Sequence, residues 1–233
     1  MRSKSPRIIQ SNELTEAAYH LPLQAKRMLW LCLRQIFQKS ETDPLEPTYI
    51  VKVSDYAAIF QVSLSTASKD LKSAIETISN SSVVFYPANG ECEEIRRPWL
   101  AEVGLKRGRG AWSIEFNSKI MPYITGLSSK FTTYNLYDCG KLKSVRVIRL
   151  YECLCQYRST GQFIVSPEWL AERFHLPESQ RINRAEMKRT FIEPSIVSIN
   201  KNTVLTVVYS ENTNSDFVFT FAEKESGKAK ITG

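Results

Sequence analysis

The sequence is poor in the residues that build disulfide frameworks, metal sites and membrane spans. Five of its 233 residues are cysteine and two, His20 and His175, are histidine. An odd cysteine count without any Cys-x-x-Cys pair, together with isolated histidines, argues against a disulfide scaffold and a zinc site. No apolar run approaches the roughly 18 residues of a membrane span, and no apolar segment follows the basic N-terminal residues to form a signal peptide. We therefore expect a cytoplasmic protein with reduced thiols and neither metal nor other cofactor.

Negative charge is also in short supply. The chain has 31 lysines and arginines against 24 aspartates and glutamates, which gives a net charge of +7 and a pI near 9.1. A basic balance favours a polyanionic partner, although it says nothing about the fold. The apolar content of 42% is ordinary, so a core can form, either in one large domain or in two of about 110 residues each.

A basic segment over residues 181–192 carries the clearest functional signal. Asn183 is a suitable N-cap, and Glu186 three residues later completes the pattern of a capping box. Pro194 removes a backbone donor, so we expect the helix to bend in its second half. A helical stripe of apolar residues follows the cap, at Ala185, Met187, Phe191, Ile192, Ile196 and Ile199. The cations of the segment are Arg181, Arg184, Lys188 and Arg189. Taken alone, the segment also fits a solvated surface helix.

An earlier pair of helices has a similar arrangement. We expect Ser54 to cap a helix over 55–60, and a second helix to begin near Ser65 after a short break. The second helix has the apolar stripe of an amphipathic helix. Its outer face combines hydroxyl groups with lysines, at Ser65, Thr66, Lys69 and Lys72. Such a pair fits a helix-turn-helix, and equally a plain helical hairpin.

A glycine-containing turn with three cations follows this pair. Residues 99–105 and 111–116 are strand-like, and the two glycines between them predict a hairpin. The cations at its tip are Lys106, Arg107 and Arg109. A solvated hairpin is the alternative, but a hairpin after a helix-turn-helix indicates the wing of a winged helix, with cations that reach phosphates or a minor groove. The acidic loop over 87–98 is not expected to touch DNA.

The order helix, strand, helix, helix, hairpin occurs twice. Residues 163–174 repeat the strand, serine cap and short helix of residues 50–60, and each copy ends in phenylalanine. We therefore predict an α+β fold of two tandem winged-helix domains. Their predicted bounds are 1–136, which includes an N-terminal arm over 1–20, and 145–222, with a linker over 137–144 and a disordered tail over 223–233.

Two equivalent helices with cations or hydroxyls on the outside favour DNA binding over a role in solubility. One helix of this kind arises by chance more easily than two in equivalent places. The predicted DNA-binding residues are Ser65, Thr66, Lys69, Lys72, Lys106, Arg107, Arg109, Arg181, Asn183, Arg184, Lys188 and Arg189. Two domains on one chain would cover two successive major grooves of double-stranded DNA.

Several segments also resemble a known family. They are Ser5-Pro-Arg-Ile-Ile-Gln-Ser-Asn-Glu-Leu-Thr-Glu-Ala-Ala-Tyr19, Lys26-Arg-Met-Leu, Ala67-Ser-Lys-Asp-Leu71, Val83-Val-Phe-Tyr86 and Ile148-Arg-Leu-Tyr-Glu-Cys-Leu-Cys-Gln-Tyr-Arg158. In order and spacing, from about Ser5 to Phe221, they resemble the replication initiators of iteron-containing bacterial plasmids, especially that of the F plasmid.

The resemblance implies two tandem winged-helix domains. Such a protein binds origin repeats as a monomer, represses its own promoter as a homodimer on an inverted repeat, and recruits host replication proteins such as helicase or initiator. The first domain also forms the dimer interface, and the second carries the stronger base-reading helix.

The resemblance also places residues of the second domain. The match at Met187-Lys-Arg-Thr-Phe191 puts Lys188 and Arg189 at the family's basic positions, whereas Thr190 stands in place of a third cation. The second hairpin tip, residues 210–215, lacks basic residues, so phosphate contacts from that wing are not expected.

Three other functions compete with initiation. A winged-helix transcriptional repressor without initiation activity would show the same motifs. A nicking enzyme would need paired metal-binding histidines and a nucleophilic tyrosine, so the separate histidines argue against catalytic residues and against an enzyme. A purely structural module is the remaining alternative, and salt-dependent binding to random DNA would exclude it.

Overall fold

The computed structural model describes residues 7–38, 47–87, 91–108, 110–125 and 130–224. The chain divides into two compact units, Met1–Gly140 and Lys141–Gly233. Among the described helices, none has the length and apolar character that crossing a bilayer requires. All five cysteines lie in described parts of the chain, and none of them forms a disulfide there.

The first unit contains six helices and seven strands within its described residues. Its helices are α1 (Asn12–Glu16), α2 (Leu23–Gln38), α3 (Val53–Phe60), α4 (Leu64–Ser79), α5 (Met121–Ile124) and α6 (Leu136–Lys141), the last of which ends one residue beyond the unit. Its strands are β1 (Arg7–Ser11), β2 (Thr48–Lys52), β3 (Ser82–Phe85), β4 (Ile95–Pro98), β5 (Leu100–Lys106), β6 (Ala111–Phe116) and β7 (Phe131–Asn135).

The core of this unit is a winged helix. Helices α2, α3 and α4 pack beside an antiparallel sheet of strand order β2-β6-β5. The predicted stripe on α4 is confirmed, because Ala67, Leu71, Ala74, Ile75 and Ile78 are buried. The fully buried Trp30 of α2 packs against Phe60, with a ring-centroid distance of 6.4 Å. The hairpin of β5 and β6 is the first wing.

The prediction of an N-terminal arm is wrong for its described part, residues 7–20. Strand β1 pairs antiparallel with β7, and Ile8 lies opposite Tyr134. Ile8 is fully buried, and the Tyr134 hydroxyl donates to Oε1 of Gln10 at 3.0 Å. Because the partner strand lies more than 100 residues later in the chain, no local pattern indicates this pairing.

Three local predictions in this unit also need correction. Helix α3 starts after Lys52, which makes no side-chain cap, so Ser54 lies inside the helix instead of capping it. The predicted acidic loop over 87–98 ends in strand β4, which pairs with β3. The first part of the segment predicted as a linker, 137–144, belongs to helix α6.

The second unit repeats the order of the first. Its elements are α7 (Val145–Gln156), β8 (Gln162–Val165), α8 (Pro167–Arg173), α9 (Glu178–Ile182), α10 (Arg184–Met187), a π-helical turn (Lys188–Ile192), α11 (Glu193–Asn202), β9 (Leu205–Glu211) and β10 (Phe217–Glu223). The sheet order β8-β10-β9 corresponds to β2-β6-β5 of the first unit. Ser166 caps α8 as predicted, since its side chain accepts from the Trp169 amide at 3.1 Å. The hairpin of β9 and β10 is the second wing.

Residues 184–202, here called the basic helix, continue without a break through the π-helical turn. Pro194 is the second residue after that turn. A proline lacks an amide donor and its ring collides with the carbonyl four residues earlier; that carbonyl belongs to Thr190, inside the wider turn. The predicted core position Ala185 is exposed, which corrects the expected stripe. The buried side chains of the basic helix are Met187, Phe191, Ile192, Ser195 and Ile199.

Candidate nucleic-acid interface

The outer face of α4 is a polar surface in the first unit. Ser65, Thr66, Lys69 and Lys72 are all exposed, on the side of the helix opposite its buried stripe. The Ser63 side chain caps the helix by accepting from the Thr66 amide at 3.1 Å. The hydroxyls of Ser63 and Thr66 also share a hydrogen bond of 2.9 Å, so Thr66 is held at the helix start.

A side-chain hydrogen bond joins helices α3 and α4. The Tyr56 hydroxyl donates to the Asp70 carboxylate at 3.1 Å. Burial, with the nearby Asp70 charge, raises the pKa of Tyr56 above its usual value, so the phenol stays a neutral donor. Gln61, at the end of α3, adopts a left-handed backbone with φ of 53°. This turn fixes how α4 leaves α3.

The first wing ends in exposed cations. Lys106 and Arg107 are exposed, whereas Arg109 lies outside the described residues. Gly108 and Gly110 have φ values of +65° and +52°, and a Cβ added at either would meet nothing within 4 Å. The turn therefore requires glycine for its backbone conformation and not for space.

In the second unit, the predicted N-cap of the basic helix is confirmed. The Asn183 side chain accepts from the Glu186 amide at 3.1 Å, so Asn183 is its N-cap. The Glu186 carboxylate instead accepts from the Arg189 guanidinium at 2.6 Å. Arg189 is 73% exposed, which leaves its guanidinium open to other partners.

Arg181 precedes the basic helix and its N-cap Asn183. It lies in the last turn of the short helix α9. Its guanidinium donates to the backbone carbonyls of Leu176 and Ala171 at 3.0 and 3.4 Å. Arg181 thereby ties α9 to the end of α8.

Arg184 and Lys188 share one carboxylate of the second wing. Glu211, the last residue of β9, accepts from Lys188 Nζ at 2.8 Å and from Arg184 Nη2 at 3.0 Å. Arg184 also donates to the Ser215 carbonyl and lies over the Phe217 ring, 4.9 Å from its centroid. The hydrogen bond from Lys188 and the charge of Arg184 lower the pKa of Glu211.

Sequence reasoning missed Glu211, although it noted that the second hairpin tip has no basic residues. Glu211 follows Arg184 by 27 residues and Lys188 by 23, so the contact depends on how the wing folds back onto the basic helix. A lone acid at the end of a strand gives no signal for it.

Thr190 contacts α9. Its hydroxyl donates to the Glu186 carbonyl at 2.6 Å and accepts from Nε2 of Gln180 at 2.7 Å. The structure therefore gathers the predicted residues into separate groups: the outer face of α4, the tip of the first wing, and the start of the basic helix.

Comparison with known proteins identifies the family. Residues 7–155 match a family model described as "Initiator Replication protein, WH1". An uncharacterized 27.6 kDa protein of Escherichia coli is 47% identical over 232 residues, covering 96% of this chain and 97% of that protein. The PI protein of Escherichia coli is 25% identical over 258 residues, covering 97% of this chain and 81% of that protein.

A solved structure shows the same fold. The crystal structure of the Pi initiator protein in complex with iteron DNA superposes with a TM-score of 0.78 at 23% identity, covering 96% of this chain and 100% of that chain. The prediction of two tandem winged-helix domains is confirmed, as is the resemblance to plasmid replication initiators. The chain belongs to the initiator replication protein family.

Proposed function

We propose that this protein initiates plasmid replication by binding direct repeats at the origin as a monomer. The observation that carries the proposal is the helix-turn-helix in each unit, whose second helix has an exposed polar or cationic surface. The Pi initiator protein, which shares the fold over almost the whole chain, was crystallised with iteron DNA, and iteron repeats are the DNA proposed here.

Each group of residues has its own role in this proposal. Arginine and lysine side chains recognise guanine O6 and N7 in the major groove, so Arg184, Lys188 and Arg189 read bases from the basic helix. Asn183 and Arg181 lie at and just before the start of that helix, where they contact DNA. Contacts to phosphate set the register, and they come from Ser65, Thr66, Lys69, Lys72, Lys106, Arg107 and Arg109.

The proposal assigns different tasks to the domains. The first domain, 1–136, contacts DNA and forms a homodimer in exchange with the monomer, and the second, 145–222, provides the main recognition surface. The dimer binds an inverted repeat in the promoter and represses the chain's own synthesis. The monomer on the origin repeats recruits host proteins such as helicase or initiator. Family membership supports these assignments.

Equilibrium binding to a duplex tests the DNA-binding part. Fluorescence anisotropy at fixed salt would compare one direct repeat from the DNA flanking the coding sequence with a scrambled duplex of equal length. We expect the repeat to bind at least about a thousandfold more tightly, as specific DNA-binding proteins do. Equal affinity for both duplexes would contradict the proposal.

A plasmid-maintenance assay separates initiation from repression. A plasmid with the cognate origin, and with this protein as its only initiator, should persist in a growing host. If the protein bound the repeats and repressed its promoter but the plasmid were lost, the chain would be a winged-helix repressor without initiation activity.

A further inference from the structure

The contact between the second wing and the basic helix suggests a role beyond simple cation placement. Arg184 and Lys188 are each 31% exposed at the side chain, and Glu211 is 33% exposed. The three side chains therefore lie half-buried between helix and wing, where their orientation is restricted. Both oxygens of the Glu211 carboxylate are used, Oε1 by Lys188 and Oε2 by Arg184.

Arg184 is held from three sides. Besides Glu211, it contacts the Ser215 carbonyl and the ring of Phe217. Its hydrogen bonds to Glu211 and Ser215 both use Nη2, and a guanidinium has five N–H donors in a fixed plane, of which the Nε–H is buried here. An arginine held in this way keeps further donors for a base edge while losing little rotamer freedom on binding.

The same contact places a negative charge between two cations. An uncompensated pair of cations attracts any phosphate, and phosphate attraction supplies most of the affinity for random DNA. A carboxylate that remains beside the cations reduces this attraction without removing their directional donors. Residues that lock a contacting side chain into one geometry commonly determine how selective the contact is.

We propose that Glu211 is a specificity-determining positioning residue, which orients Arg184 and Lys188 toward base edges and weakens their attraction to phosphates of random sequence. The inference rests on the proposed binding of origin repeats. The occupant of the surface is duplex DNA, and Glu211 acts on it through the two cations.

Glu211→Gln is the variant that tests this role, because it removes the charge and keeps the size of the side chain. Affinities for a direct-repeat duplex and a random duplex would be measured by anisotropy over a range of salt concentrations. We expect the repeat affinity to fall by roughly tenfold, the order set by the rotamer freedom of two long side chains. We expect the random-duplex affinity to rise by about twofold to fivefold.

Two matched variants isolate the mechanism. Glu172→Gln removes the same charge from an exposed position of α8, and it should leave the ratio of the two affinities unchanged. In an Arg184→Gln, Lys188→Gln background, the further change Glu211→Gln should no longer alter that ratio, because the side chains that Glu211 orients are gone.

The directions of change decide the outcome. If Glu211→Gln raised the affinity for both duplexes equally, the carboxylate would only compete with phosphate. If it lowered both affinities equally, the carboxylate would only support the fold. Either result overturns the proposal. A persisting effect in the doubly substituted background would also overturn it. If the unaltered protein bound the repeat and the random duplex equally well, the proposed function would fail. The positioning role would then fail as well, unless Glu211→Gln still raised the affinity for the random duplex only in the presence of Arg184 and Lys188.

Discussion

The side-chain amide of Gln180 donates a hydrogen bond to the Thr190 hydroxyl at 2.7 Å, and so joins α9 to the π-helical turn of the basic helix. Gln180 is only 8% exposed, so its amide has little access to water if this partner is lost. A buried donor left without an acceptor costs about 1–3 kcal/mol.

Thr190→Val should therefore lower the free energy of unfolding by about 1–2 kcal/mol, because valine keeps the shape of threonine and removes the acceptor. Urea unfolding monitored by circular dichroism measures the change. Thr206→Val is the control, since Thr206 is exposed on strand β9 and valine suits a strand. Equal stability of Thr190→Val and the unaltered protein would show that the Gln180 contact does not stabilise the turn.

Lys69 and Lys72 should contribute salt-dependent affinity that is independent of sequence. Each phosphate neutralised on duplex DNA contributes about 0.9 to the slope of log affinity against log salt. Lys69→Gln and Lys72→Gln should each lower the slope by about one and weaken repeat and random duplexes alike. Lys119→Gln, an exposed lysine outside the helix-turn-helix, should leave the slope unchanged. Unchanged salt slopes for both α4 variants would show that α4 does not contact the DNA phosphates.

Thiol chemistry tests the fold separately from function. Cys92 is exposed, whereas Cys32, Cys139, Cys153 and Cys155 are buried. Burial raises the pKa of Cys155 to about 12 and also raises that of Cys32, so neither forms the reactive thiolate near pH 8. A colorimetric disulfide reagent should label one thiol in the native protein and five in denaturant. Cys92→Ser should abolish native labelling, and rapid reaction of a second thiol would contradict the described packing.

The ion pairs of Glu211 should give the stability a defined pH dependence. The pKa of Glu211 is lowered in the folded protein, so the stabilisation is present above the ordinary glutamate pKa of about 4.3 and is lost as the pH falls through the lower folded value. Glu211→Gln should have a lower urea midpoint than the unaltered protein at pH 7, and the difference should vanish at acid pH. A difference of the same size at both pH values would show that these charges are not its source.

Local patterns were sufficient where the determining contacts are close in sequence. The N-cap at Asn183, the buried stripe of α4 and the repeated strand-to-helix segments were all readable, because each depends on residues within a few turns of one another. Positive φ at Gly108 and Gly110 follows in the same way from the need of a tight hairpin turn.

Contacts between distant segments could not be predicted from the sequence. The pairing of β1 with β7 and the ion pairs of Glu211 depend on the completed fold, so composition and periodicity do not predict them. The π-helical turn shifts the helical phase by one residue, which explains why Ala185 was expected in the core but is exposed. A fixed 3.6-residue period fails at such a turn.

Hydroxyl-radical footprinting of the origin repeats is the most direct test of the central claim that α4 and the basic helix each contact DNA. Arg189→Ala should lose about 1–3 kcal/mol of repeat binding, with little loss of stability because its ion pair with Glu186 is exposed. At protein concentrations that partly restore binding, we expect Arg189→Ala and the Lys69→Gln, Lys72→Gln double variant to lose protection over different halves of each repeat. Loss over the same half, or an unchanged footprint for either variant in moderate salt, would contradict the account.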